Sequence, residues 1–189
     1  MNTSVASDIL PRLRNETRPY HEQLEQNNFN QALTAGTLTP ELTEWFLSKM
    51  YGFLVPYEHQ IRQYPWPPAW EMERRYRAHL ILEDLQGDAR QIDLPLCQAM
   101  PPLHTWPELL GAMYVLEGST LGGQVIARQL AKAGVTTRTY FSGYGDQTGP
   151  LWKSFCQLLG QAATEVNQDE IVLSARRTFQ QLATWLSPE

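Results

Sequence analysis

Leu116-Glu117-Gly118-Ser119-Thr120-Leu121-Gly122-Gly123-Gln124 lies inside an apolar-periodic run, Trp106 to about Lys132, that reads as one long helix. Three glycines fall within residues 118–123. Each costs about 0.8–1 kcal/mol relative to Ala in a helix interior, and the three together roughly 2.5–3 kcal/mol. Such a concession implies a kink, or close approach of the backbone to another body. Gly118 and Gly122 are four apart and share a face, with Gly123 beside them. A bare face of this kind suits a flat, bulky ligand lying against the main chain. It suits tight helix–helix packing equally, and the stretch alone leaves both readings open.

Working outward, Thr105-Trp106-Pro107-Glu108 fits a capping box that launches this helix, and Gly134 ends it. Upstream, Leu10, Leu13, Thr17, His21 and Leu24 recur at helical steps. His21 is the polar interruption, Glu25 follows one turn later, and Pro19 marks a place for a bend. Asn27 to Gly36 reads as a short loop with a helical turn. Thr39-Pro40 starts a helix to about Gln63, with a kink expected near Pro56. Tyr64 to Pro68 is a stop. Glu71 to Gln86 reads as a charged amphipathic helix capped by Gly87, and residues 88–104 as a proline-rich connector with a short helical piece at Leu96 to Met100. Phe141 to Asp146 is a glycine-rich turn. Thr148 opens a helix to about Val166, and Asn167 opens the last, to about Leu186. No segment alternates long enough for a strand. The expectation is an all-α fold of six to eight helices, one domain over residues 1–189, with residues 1–5 loose.

Net charge is −5 and no basic run occurs, which argues against nucleic acid as a partner. The two cysteines, Cys97 and Cys156, form no motif for a disulfide framework or a zinc site. No stretch has the form of a signal peptide or the length of a membrane span, so a cytoplasmic location is the default expectation.

Of the four histidines, His21, His59, His79 and His104, no pair has the spacing of a zinc helix, and no Glu-x-x-His pair repeats as a di-iron bundle requires. A single axial ligand to a haem iron needs only one. His21 is the best placed, and Glu25 could take the proton of its other ring nitrogen. A core histidine satisfied by a carboxylate fits the spacing as well.

Leu13-Arg14-Asn15-Glu16-Thr17-Arg18-Pro19-Tyr20-His21-Glu22-Gln23-Leu24-Glu25 resembles the N-terminal helix of haem oxygenases. Gly118 to Gln124 resembles the distal helix of the same family, and residues 114–123 look most like bacterial members that serve bacteriophytochromes. The likeness runs in one order over roughly residues 10–186. It implies an all-α haem-oxygenase-like domain in which His21 is the proximal iron ligand and Glu25 its companion. Gly118, Ser119, Gly122 and Gly123 then form the wall over the opposite haem face. Thr17, Tyr114 and Lys153 complete the expected haem-binding set. For the haem propionates, Arg14, Arg18, Lys132, Lys153 and Arg177 are candidates by charge, while Tyr114 either reaches a propionate or packs.

The resemblance further implies opening of haem to biliverdin, CO and iron, with haem as substrate and cofactor, O2 as co-substrate, and electrons from an external ferredoxin or reductase. A bacteriophytochrome is the implied bilin acceptor. One departure stands out. Animal-type members carry Asp just after the first distal glycine, where this chain has Ser119, a hydroxyl that holds no charge. That departure motivates the alternative, a haem-binding or carrier protein on the same fold without turnover.

Overall fold

A computed structural model describes residues 9–85 and 94–187. The loose residues 1–5 and the cap at Gly87 lie outside them. The order is α1 (Ile9–Leu24), α2 (Asn28–Ala35), α3 (Pro40–Ile61), α4 (Ala78–Asp84), α5 (Trp106–Lys132), α6 (Thr148–Ala162) and α7 (Gln168–Trp185). Short 3₁₀ turns stand before α4 and before α6, and the described residues hold no strand.

The helix starts follow from their caps. Thr105 Oγ1 accepts from the Glu108 amide at 3.3 Å, and the Glu108 carboxylate accepts from the Thr105 amide at 3.1 Å. These reciprocal bonds satisfy two amides that the first turn would otherwise leave orphaned. Thr39 caps α3 with a single bond, its hydroxyl accepting from the Leu42 amide at 3.2 Å, with Pro40 in the first turn. Gly134, at φ +75°, takes the left-handed position just past the end of α5.

Helix α7 is the floor on which the site is built, since α5 and α1 both pack along it while scarcely touching each other. The crossing of α5 and α7 depends on small residues. A Cβ at Gly111 would overlap the Ile171 carbonyl and crowd Ser174, and the Ser174 hydroxyl donates to the Glu108 carbonyl at 2.6 Å. On the other side, Ile9, Leu13 and Thr17 bury one face of α1, and the ion pairs Arg176–Glu16 and Arg12–Asp169 tie α1 to α7. The next residue four steps along that face is His21. It therefore emerges where α1 passes beyond the packed core.

Several boundaries differ from expectation. The loop and turn at 27–36 close into α2, because Asn27 accepts from the Asn30 amide at 3.0 Å and Gly36 supplies the left-handed end. Pro19 and Pro56 sit inside uninterrupted helices. The Gly52 carbonyl, which loses its helical donor at Pro56, accepts instead from the Cys97 amide at 2.9 Å. That same contact holds residues 96–100 in extended and bent form, so no helix forms there.

Helix α6 stops at Ala162 and not near Val166, because the Asn167 side chain donates to the Ala162 carbonyl and accepts from the Thr164 amide. The largest difference is at 71–86. Only Ala78–Asp84 is α-helical, preceded by 3₁₀ turns at 68–70 and 72–74 that join at Glu71, a non-glycine residue at φ +47°. Glu58 explains the delayed start: one carboxylate oxygen accepts from both the Arg77 and Ala78 amides, at 2.6 and 2.9 Å.

Candidate functional site

Between α1 and α5 lies an open-mouthed cleft of about 190 Å³. His21 and Glu25 line one side of it, and Gly118, Ser119, Gly122 and Gly123 line the other. Phe46, Met50, Phe141, Ile126 and Leu182 supply apolar wall. The imidazole and the glycine run thus share one slot, as their spacing alone could not establish.

His21 is more than half exposed although it continues a buried face. Its ring meets Phe179 of α7 edge to face, with centroids 5.6 Å apart, which limits its rotation. Glu25 Oε1 lies 3.7 Å from Nδ1, too long for a hydrogen bond but near enough to favour a proton on that nitrogen. Among the described residues no group of three or more His, Cys, Asp or Glu converges on a point that could hold a metal ion. A metal here would rest on His21 and on a group that brings its own remaining ligands.

The glycines have different jobs. A Cβ at Gly122 would meet nothing within 4 Å, so its missing side chain leaves open cleft. At Gly123 a Cβ would stand 2.5 Å from the Phe141 carbonyl oxygen. This glycine admits the turn at 140–142 against α5, so the packing reading applies to it although it also borders the cleft. At Gly118 a Cβ would touch Trp152 of α6 at 3.6 Å, ordinary contact.

The remaining expected residues stand elsewhere. Thr17 is buried, with its hydroxyl donating to the Leu13 carbonyl at 2.7 Å. Tyr114 packs against Trp152 at 5.9 Å between ring centroids. Burial pushes its phenol up in pKa, with nearby Arg14 opposing. Lys153 is exposed on α6. None of the three lines the cleft, nor do Arg14, Arg18, Lys132 or Arg177. Arg18 is paired with Glu22 at 2.8 Å on the outer face of α1.

Sequence reasoning missed a charged group on the glycine side. Arg77 is buried, yet lines the cleft. Its Nη2 donates to the Leu116 carbonyl at 2.7 Å and, more weakly, to Ser119 Oγ at 3.4 Å. The Ser119 hydroxyl donates to the same carbonyl at 2.7 Å, so its proton is committed. The Tyr140 and Tyr144 rings flank the guanidinium, at 5.3 and 5.7 Å from their centroids. Burial alone would lower its pKa, but Tyr140, Tyr144, Glu117 and Glu58 outweigh that and raise it, so Arg77 stays charged. The glycine wall is therefore not backbone alone.

Behind Arg77 is a buried pair, Arg75 and Glu117. The Tyr144 hydroxyl donates to the second Glu117 oxygen at 2.7 Å. Arg75 Nε donates to the Trp70 carbonyl at 2.7 Å. Burial, with Glu117 beside it, raises the Tyr144 pKa far above the ordinary range, so it remains a neutral donor.

Helices α1 and α5 lie on a common floor, α7, and frame an apolar-walled cleft with His21 on one side and a glycine-lined wall on the other. A profile of the Heme oxygenase family matches residues 7–187, and the chain belongs to that family. A haem oxygenase of Xanthomonas campestris pathovar campestris is 27% identical over 166 residues, covering 84% of this chain and 97% of that one. The haem oxygenase structure from Leptospira interrogans has a TM-score of 0.75 at 17% identity, covering 96% of this chain and 99% of its own. A haem oxygenase from the cyanobacterium Synechocystis, solved in complex with haem, has a TM-score of 0.78 at 16% identity, covering 95% and 91%. At these identities the structural likenesses establish the fold. No helix among the described residues is long and apolar enough to cross a membrane.

The contrast between two adjacent glycines is testable. Gly123→Ala is expected to destabilise the fold by about 1–3 kcal/mol, because the obstruction is backbone and cannot rotate away. Gly122→Leu is expected to leave the urea midpoint within error while weakening haem uptake, read from the Soret band. Equal midpoints for the two variants would contradict the separate roles.

Proposed function

We propose that this protein is a haem oxygenase that opens haem to biliverdin, releasing CO and iron, with O2 and electrons from an external donor. The observation that carries it is the cleft that joins His21 to Gly118, Ser119 and Gly122, in a chain whose family is shown. Haem supplies the iron at which oxygen is activated, and is itself the molecule oxidised.

The residues fit that guest. His21 would hold the haem iron through one ring nitrogen, and Glu25, near the other, would orient the ring. An imidazole there would lack the electron push that a thiolate ligand supplies. Gly118 and Gly122 admit the macrocycle close to the α5 backbone. Phe46, Met50, Phe141 and Leu182 exclude water from its apolar edge. The cleft's lining residues would set how the ring is oriented, and with it the site of oxidation. Thr17, Tyr114 and Lys153 do not line the cleft and carry no contact in this scheme. A ferredoxin or reductase is the electron donor, and a bacteriophytochrome the proposed acceptor of the bilin.

The test is a spectrum. Purified protein with ferric haem should give a stoichiometric Soret band. Adding a reductant in air should convert it to a bilin spectrum within minutes. A band that forms but never proceeds past a stable oxygen complex would favour the carrier reading that Ser119 motivates. No band at all would remove haem from the account.

A further inference from the structure

We infer that the aromatic side chains Trp152, Trp70, Trp66, Trp106 and Tyr64 form an outlet that carries oxidising equivalents from the haem cleft to the protein surface. This rests on the haem reading above. An enzyme that activates oxygen with electrons from an external donor is left holding an oxidant whenever that supply fails. Met50 lines the same cleft, and its thioether is open to oxidation to the sulfoxide.

The line starts behind the glycine wall. Gly118 borders the cleft, and the Trp152 indole lies 3.6 Å from where a Cβ of Gly118 would stand. From Trp152 the ring centroids step 5.6 Å to Phe155 and 5.9 Å on to Trp70, which is buried. Trp70 meets both Trp66 and Trp106 at 5.4 Å, and these meet Tyr64 at 5.5 and 5.1 Å. Tyr64 borders two open grooves and so reaches solvent. Indoles and phenols give up an electron far more readily than a phenyl ring does, so Phe155 serves only as the bridge between Trp152 and Trp70. Charge at that bridge is balanced. Arg75 donates to the Trp70 carbonyl and lies 6.0 Å from the Phe155 ring, where it would repel a positive hole, but Glu117 is paired with it. Packing accounts for contact between neighbouring rings. It does not require that oxidisable rings run in series from the cleft wall to a phenol at the surface.

The electrons balance. Trp152 gives one electron to the oxidised haem and becomes an indole radical cation. Electrons then pass inward from Trp70, from Trp66 or Trp106, and from Tyr64, so the vacancy moves outward. Tyr64 ends the line by losing its phenolic proton to water in the groove. A small-molecule thiol returns one hydrogen atom to the tyrosyl radical, and the thiyl radicals pair to a disulfide.

The probe is a peracid, a two-electron oxidant, added to the ferric haem complex without reductant. A nitrone traps the protein radicals and peptide mass spectrometry places them. The adduct is expected on Tyr64. Trp70→Phe should abolish that adduct and raise Met50 sulfoxide, with the Soret band of the untreated complex unchanged. Trp152→Phe should do the same from the cleft end, so the inference stays exposed even if Trp70→Phe folds poorly. Tyr64→Phe should move the adduct inward to Trp66 or Trp106. Absence of a Tyr64 adduct in the wild-type complex overturns the inference, whether the radical stays on Tyr140 in the cleft or is not trapped at all. So does a Tyr64 adduct that survives in Trp152→Phe or that forms in the haem-free protein. Failure of the wild-type protein to take up haem, seen in the Soret band before any oxidant is added, would instead overturn the function proposed above.

Discussion

His21→Ala is expected to reduce bilin formation at least about 100-fold and to shift the Soret band of the ferric complex, because it removes the proposed iron ligand, the one imidazole lining the cleft among the described residues. The variant is a clean one. His21 is more than half exposed and its side chain makes no hydrogen bond among the described residues, so its removal leaves no buried orphan there, and the loss is functional. Ile9, Leu13 and Thr17 still bury α1, and the Arg176–Glu16 and Arg12–Asp169 pairs still hold it to α7. The unfolding midpoint should therefore move by less than about 0.5 kcal/mol. The space vacated beside Phe179 can take free imidazole, so added imidazole should restore the Soret position and part of the turnover. A His21→Ala protein with the wild-type spectrum and rate would place the iron ligand elsewhere. Glu25→Gln should act in the same direction but more weakly, since it alters how the ring is oriented and not whether it binds.

Helix α5 runs from Trp106 to Lys132, the run expected from the sequence. Both its ends are announced locally, by a reciprocal cap at Thr105 and Glu108 and by Gly134, and local signals can be read without knowing the fold. The same holds for α1 and its histidine. The segment 71–86 was opaque for the opposite reason. Its charges at 74, 75 and 77 look like a solvated helical face, yet Arg75 and Arg77 are buried. What draws them in is distant along the chain: Glu117 pairs with Arg75, the Leu116 carbonyl takes Arg77, and Glu58 takes the amides at which α4 would otherwise have begun sooner. No period in the segment encodes those partners. The prolines at 65, 67 and 68 were the nearby warning that the chain was turning. The glycines show the same limit. That Gly118, Gly122 and Gly123 lie together was visible, but which of them faces open space and which faces the Phe141 carbonyl depends on where the 140–142 turn docks. The set Thr17, Tyr114 and Lys153 rested on the resemblance and had no such local signal; Thr17 bonds to the Leu13 carbonyl, Tyr114 packs beside Trp152, and none of the three lines the cleft.

Glu117→Ala is expected to cost about 3–5 kcal/mol of stability, the magnitude associated with stripping one partner from a buried ion pair. The Arg75 side chain is 1% exposed and the Glu117 side chain 4%, so water cannot replace the lost carboxylate. The Tyr144 hydroxyl loses its acceptor in the same step. Against a total of about 5–15 kcal/mol for a domain of this size, the variant should be near the edge of folding at 37 °C. Glu117→Gln keeps an oxygen for Tyr144 but not the charge for Arg75, and should fall between. The double change Arg75→Met with Glu117→Leu should recover most of the loss, since a buried pair exchanged for apolar groups of similar size is often close to neutral. Urea unfolding of the two single variants and the double closes a mutant cycle whose coupling energy isolates the pair from the packing around it. Full additivity, or a single-variant loss below about 1 kcal/mol, would mean the charges are not buried as described. The consequence should reach the cleft. Glu117 immediately precedes Gly118 and Ser119, and through Tyr144 it fixes one neighbour of Arg77. A double variant that regains stability without regaining haem uptake, read from the Soret band, would separate the two roles, with burial holding the helix in place and the ion pair aligning the glycine wall of the cleft.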